Sequence, residues 1–347
     1  MRETQQNDAL ANVHFLVTRT DRLGDMVLSL PLFESIKHAF PNARLSVLAS
    51  AANAEIARLC MHIDDVFVDT VEARDSKYKD TFGLVRRLRT WRPDMVLFAN
   101  AKHRLAIAAW LARIPRRIGS IRRRYSIFYT DRVRSLPEPP YEHEADRALR
   151  LLQPLGIEPA TRVPQLVLKE QHKALAVTLL NGLGVTTDQR IAALHPSNSG
   201  NALNAAPDWY GRVADELQAF GFRVVLTGTK NERTQTKAVM EAARSDLIDL
   251  TGRLSVTQLA ALYTRCTVNI ASSTGTAHLS AAVGTPTIGL YSPLVKQAVW
   301  LPRGKRIVVL RPEVGMSCQS CLGEKCRFFN CMDRISPQVV AESVNAL

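Results

Sequence analysis

Short apolar runs alternate with amphipathic stretches along nearly the whole chain, and half way along the alternation starts afresh. In the first pass, residues 13–18, 44–49, 65–68, 94–98 and 114–119 read as strands, with helical spacing over 26–40, 55–59, 76–88 and 102–112. Runs that are apolar on both faces belong to strands covered on both faces, and strand–helix repetition specifies a parallel sheet flanked by helices. Pro31 falls in the opening turns of the first helix and marks a tightened or restarted turn. Residues 121–140, IRRRYSIFYTDRVRSLPEPP, are too basic and too rich in proline for a core element and read as loop. A helix over 142–155 closes at Gly156.

The second pass places strands at 190–194, 223–226, 247–249, 268–270, 287–291 and 306–310. Helices fall at 208–220, 232–244, 255–263, 277–283 and 336–344. A chain of 347 residues exceeds an ordinary single domain. The reading is therefore two Rossmann-like α/β domains, 1–168 and 169–347, with a helix over 169–180 as the bridge. In such folds ligands bind beyond the carboxyl ends of the strands, here in a cleft between two facing sheets.

Composition narrows the partners. The net charge of +13 attracts polyanions. Nucleic acid, anionic lipid headgroups and phosphorylated glycans are the candidates; aromatic residues are only 6%, without basic–aromatic interleaving of the kind that stacks bases, which favours the lipid surface over nucleic acid. No run approaches the ~18 apolar residues of a membrane span, and the N-terminus MRETQQNDALAN lacks a signal-peptide core. A cytoplasmic protein, drawn to the inner face of a membrane by charge, is the expectation. Cys60 and Cys266 sit in apolar surroundings and read as core. Cys318, Cys321, Cys326 and Cys331 are spaced C-x2-C-x4-C-x4-C, which fits a structural zinc or iron–sulfur site, free or locally paired thiols, disulfides or a redox role, without matching a standard finger.

Several clusters fall where a strand gives way to a helix. Ser273, Thr274, Gly275 and Thr276 follow a buried strand and precede a helix carrying His278. Such a helix start presents backbone N–H groups to an anion, or is simply capped by Ser273 or Thr274. Thr227 and Gly228 make a second small-residue exit, and Ser197 lies in a third, His195–Gly200. Hydroxyls and open backbone in these turns suit a diphosphate. Neither G-x-G-x-x-G nor G-x-x-x-x-G-K-[ST] occurs, which removes support for a dinucleotide fingerprint or a P-loop.

In the first half, Arg22-Leu23-Gly24-Asp25 occupies the equivalent turn. Asp25 is placed either to take a proton from a hydroxyl or to stabilise a helix start, and Asp21 competes for both roles. The basic run Arg113, Arg116, Arg117, Arg122, Arg123 and Arg124 reads as a solvated face or as a cradle for an anionic acceptor.

Taken together, these residues resemble glycosyltransferase family 9, the lipopolysaccharide heptosyltransferases. The resemblance rests on R-x-G-D at Arg22 to Asp25, Leu30-Pro31-Leu32, F-P-x-A at Phe40 to Ala43, the helix beginning near His143 and the strand leading to His195-Pro196. It rests also on the exit at Val224 to Gly228 and on S/D-[ST]-G-x-x-H-L-x-A-A-x-G-x-P at Ser273 to Pro286, and it spans nearly the whole chain. The resemblance implies the GT-B fold and inverting transfer of heptose from an ADP-activated donor to the lipopolysaccharide inner core. It implies Asp25 as the base, Thr274, Gly275, Thr276 and His278 around the donor diphosphate, the first domain for the anionic glycolipid acceptor and the second for the nucleotide sugar. No catalytic cofactor is implied. The sequence departs from the family at Asn204-Ala205-Ala206-Pro207, where K-x-W-P is common, so Arg190, Arg212 or Arg233 would have to replace the lysine. It departs again at Ser273, where many members carry Asp.

Overall fold

A computed structural model describes residues 12–71, 79–100, 102–121, 124–134, 141–198, 200, 202–293, 299–314, 326 and 330–347. The chain divides into two compact units, Met1–Pro164 and Gln165–Leu347.

The first unit is built on six parallel strands: β1 (His14–Arg19), β2 (Arg44–Ser50), β3 (Asp65–Asp69), β4 (Met95–Phe98), β5 (Arg116–Ser120) and β6 (Asp131–Val133). They lie in the order β3-β2-β1-β4-β5-β6. Every residue of β1 is buried, as its unbroken apolar run requires, with Leu16 in register between Ser46 and Val96. Two helices follow β1, α1 (Leu23–Leu28) and α2 (Leu30–Ala39), where the spacing alone gave one. The break falls at Ser29 because Pro31 has no N–H to donate and its ring excludes the carbonyl four residues back. Next come α3 (Ala51–Leu59), α4 (Thr81–Trp91), α5 (His103–Leu111) and α6 (Glu144–Leu149). Arg104 in the first turn of α5 and Asp69 at the end of β3 form a buried ion pair that ties the two elements together.

The expected loop over 121–140 is not all loop. It contains a 3-10 turn, Arg124–Phe128, and the edge strand β6, with Tyr125, Tyr129 and Val133 buried. Arg116 is bonded to Asp131 across neighbouring strands, and Tyr129 stacks on Phe98 at 4.8 Å. Counting charge along the sequence hid these aromatic anchors.

The second unit repeats the plan with β7 (Arg190–His195), β8 (Phe222–Leu226), β9 (Ile248–Asp249), β10 (Val268–Ser272), β11 (Thr287–Leu290) and β12 (Ile307–Leu310). These strands are also parallel, in the order β12-β11-β10-β7-β8-β9. Numbered within its own unit, each sheet runs 3-2-1-4-5-6, the Rossmann order. Helices α7 (Glu170–Asn181), α8 (Pro207–Ala219), α9 (Arg233–Ala242), α10 (Val256–Arg265), α11 (Gly275–Ala282) and α12 (Pro337–Glu342) cover it. The expected bridge, α7, packs against α10 and so belongs to this unit. At the C-terminus, buried Trp209 on α8 donates its indole N–H to the Ile335 carbonyl at 2.6 Å, fixing the approach to α12.

Candidate active site

A Rossmann-ordered sheet has one place where neighbouring connections leave in opposite directions, and a crevice opens beyond the strand ends there. In the first unit that place lies past β1 and β4, in the second past β7 and β10.

Past β1 the chain runs Arg19-Thr20-Asp21-Arg22 into α1. Asn53, fully buried in the first turn of α3, donates to the carbonyls of Arg19, Asp21 and Arg22 at 3.3, 3.2 and 3.4 Å and fixes the shape of this turn. Gly24 is buried within α1. Asp25 follows in the first turn, where the helix dipole favours a carboxylate, with 16% of its side chain exposed.

Arg19, missed in the sequence, organises the carboxylates. It is only 1% exposed. Its Nε donates to the Asp25 carbonyl at 3.0 Å and lies 3.3 Å from the Asp21 carboxylate. One terminal nitrogen donates to the Ala99 carbonyl beyond β4 at 2.5 Å. The other donates to Glu144 at the start of α6 at 2.8 Å and stands 3.6 Å from the Asp25 carboxylate. Burial opposes the arginine's charge, but Asp21, Glu144 and Asp25 outweigh it and raise its pKa. Asp25 is raised to about 6: burial pushes it up, Arg19 pulls it down, and Asp21 and Glu144 push it up again. Burial also raises Asp21, against the pull of Arg19. Arg19, shared among three carboxylates, offsets only part of the burial, and Asp25 stays above the usual carboxylate range. The only signal of this in the sequence was that β1 ends on a charged residue.

In the second unit, His195 closes β7 beside Ala271 of β10. It is buried, with Nδ1 3.0 Å from the Thr227 hydroxyl at the end of β8. Burial lowers its pKa despite Glu232 nearby, so the imidazole is neutral at neutral pH. Ser197 is buried next along the chain. Glu232 accepts the Thr229 N–H at 2.7 Å as part of a capping box. Burial would raise Glu232, but hydrogen bonds from the Thr229 backbone and the Ser197 hydroxyl, with His195 beside it, bring its pKa below the usual range. Glu232 therefore takes the Thr229 N–H and the Ser197 hydroxyl beside this exit, while the Thr227 hydroxyl is engaged by His195.

The turn after β10 differs. Thr274 caps α11 by accepting the Thr276 N–H at 3.2 Å, and no acid lies in the first turn. Ser273, Thr274 and Gly275 are half-buried; Thr276 and His278 are buried. Tyr263 of α10 is fully buried, and burial pushes its hydroxyl pKa up. Asn269 holds α11 down through Ser280 at 2.8 Å.

Asn204, at the position of the family lysine, is committed internally. It donates to the Pro196 carbonyl at 2.7 Å, accepts the Tyr210 hydroxyl at 2.7 Å and accepts Asn330 on its backbone at 2.8 Å. Arg190 opens β7 at the end of the strand away from His195, 4.0 Å over the Phe222 ring, which removes it as a replacement. Arg212 pairs with Asp208 on an exposed helix face. Arg233 begins α9 beyond β8 and reaches the Thr251 carbonyl at 3.4 Å; Lys230, exposed in the same turn, is a cation that the sequence reading passed over.

Cys318 and Cys321 lie outside the described residues, while Cys326 is half-buried and Cys331 buried. Among the described residues no group of three or more His, Cys, Asp or Glu side chains could hold a metal ion, so a structural zinc or iron–sulfur site gains no support. No helix among the described residues is long and apolar enough to cross a membrane.

Two Rossmann-ordered six-stranded sheets in one chain make the GT-B architecture. Residues 81–331 match the model of glycosyltransferase family 9 (heptosyltransferase), and the chain belongs to that family. It is similar to lipopolysaccharide heptosyltransferase 3 of Escherichia coli K12, at 24% identity over 82% of this chain and 84% of that protein. The crystal structure of a family 9 glycosyl transferase from Veillonella parvula shares the fold with a TM-score of 0.85, 20% identity and 97% of each chain covered. E. coli ADP-heptose lps heptosyltransferase II shares it at 0.80, with 21% identity and 96% and 98% of the two chains covered.

Proposed function

We propose that this glycosyltransferase moves heptose from ADP-heptose to a hydroxyl of a lipopolysaccharide core acceptor, with Asp25 as the base. The observation that carries this reading is the half-buried Asp25 carboxyl, fixed beside Arg19 past β1 and ionising at about 6. A base poised near the operating pH takes a proton most effectively. Asp25 removes the acceptor's hydroxyl proton, the oxygen bonds to the anomeric carbon from the face opposite the leaving group, and the bond to the diphosphate breaks, inverting that carbon. ADP departs with the electron pair. The start of α11 at Thr274–Thr276, with His278 in its first turn, grips the diphosphate, and backbone N–H groups and the helix dipole offset its charge. Arg233 and Lys230 supply cationic charge in place of the lysine. The names of the relatives supply the donor and acceptor; the first unit would hold the acceptor and the second the donor.

Each element has a test. A panel of ADP-, UDP- and GDP-sugars should give a thermal shift with ADP-sugar alone, about 5 °C or more at a hundredfold excess over Kd. No shift with any donor would instead favour a polyanion-binding protein on the same scaffold, a reading that Asn204 in the lysine position supports. A pH profile tests the base. Because its pKa is raised, Asp25 is ionised above about 6, so kcat should be level above that pH and fall about tenfold per unit below it. A profile flat from pH 5 to 8 would remove Asp25 from the chemistry.

A further inference from the structure

The chain's positive charge is concentrated. Between residues 110 and 134 lie eight arginines and one acid, Asp131, a net +7 of the +13 carried by the whole chain. Arg116 and Arg117 are occupied in holding the fold. Arg116 bonds to Asp131 and the Pro154 carbonyl, and Arg117 bonds to the carbonyls of Phe128 and Ile114. Arg113 and Arg124 are different: both are exposed and neither forms an ion pair among the described residues. Arg122 and Arg123 lie outside the described residues.

The same segment leaves large apolar side chains in water. Trp110, at the end of α5, is 49% exposed, and Ile127, in the 3-10 turn, is 68% exposed. They belong to one surface, because that turn packs along α5 and Phe128 meets the Trp110 ring at 5.3 Å. In a 3-10 turn side chains three residues apart eclipse one another, so Arg124 and Ile127 stand in line on the same side. Arg113 follows Trp110 in the turn that ends α5. Exposed isoleucine and tryptophan gain nothing from water, since moving apolar surface out of water is favourable. Single exposed apolar residues need no explanation, but apolar side chains set among unpaired arginines do.

We propose that this face of the first unit docks on an anionic bilayer surface, with Trp110 and Ile127 entering the headgroup–acyl boundary and Arg113 and Arg124 meeting lipid phosphates. Charge complementarity selects an acidic partner, and the aliphatic tip selects a lipid over a nucleic acid. Bases stack on open aromatic faces, whereas Trp110 is packed against Phe128 and Ile127 has no face to offer. This inference needs no particular donor or acceptor.

The test is co-sedimentation of the full chain with vesicles of phosphatidylcholine alone or with phosphatidylglycerol, without sugar nucleotide or lipopolysaccharide. Wild type should bind the phosphatidylglycerol vesicles only. The pair Trp110→Ser and Ile127→Ser, and separately the pair Arg113→Gln and Arg124→Gln, should each weaken that binding at least about tenfold. Should either pair unfold the chain, brominated lipids read the wild type directly: they should quench its tryptophan fluorescence, and Trp110→Phe should remove most of the quenching. Three results would overturn the inference. They are no binding to either vesicle, full binding by the serine pair, which would reduce the contact to charge, and displacement from vesicles by RNA.

Discussion

Asparagine in place of Asp25 is expected to lower kcat by about 10²–10⁴-fold while leaving donor affinity near the wild-type value. Asparagine keeps the shape of the side chain at the start of α1 but cannot take up a proton. The backbone carbonyl of Asp25, which receives both Arg19 Nε and the Ser29 hydroxyl, is unchanged, so the turn keeps its form. Arg19 retains Asp21 and Glu144 as counter-charges. The variant should therefore fold, and its melting temperature should not fall below that of wild type, because the substitution removes a carboxylate that burial already disfavours. Steady-state transfer rates and donor titration by calorimetry separate the two effects. Lost donor binding with unchanged kcat would place Asp25 in the donor pocket and sink its assignment as base.

Methionine in place of Arg19 has the largest expected effect on stability, a loss of about 3–5 kcal/mol. Removing one partner from a buried ion cluster strands the charges it paired in a poorly solvating site; here Asp21 and Asp25 lose the guanidinium beside them, while Glu144 keeps Arg147 at 3.4 Å. The Ala99 carbonyl loses its donor as well. Lysine at the same place keeps the charge but is a point donor and cannot reproduce the planar fork that reaches the ends of β1, β4 and α6 together. It should recover part of the stability and little of the activity. Urea denaturation measures the first and transfer assays the second; a methionine variant within 1 kcal/mol of wild type would show that the carboxylates do not depend on Arg19.

The architecture was legible because a doubly wound sheet writes itself into the chain. Apolar runs such as VHFLVT and RVVL cannot be one-sided strands, and the gaps between them leave room for crossover helices. Where a real element carries charge, that rule fails: β6 is read as loop because Arg132 and Asp131 hide Val133, although Tyr125 and Tyr129 anchor the segment from within. Asp25 and the turn at Thr274 could be named because small residues and an acid between strand and helix have few other uses. Arg19, Asn53, Glu144 and Glu232 could not. Each acts on a partner distant in the sequence or across a turn, as Arg19 reaches Glu144 and Asn53 reaches three carbonyls, and only folding brings such pairs together.

Each sheet draws all six of its strands from one side of Pro164. Among the described residues no ladder crosses that point, so neither half needs the other to complete its sheet. Parts joined in this way can be inherited and altered separately: under the proposed roles, the half bearing Asp25 can drift toward a new alcohol, and the half bearing Thr274 toward a new activated sugar, each keeping its own sheet intact.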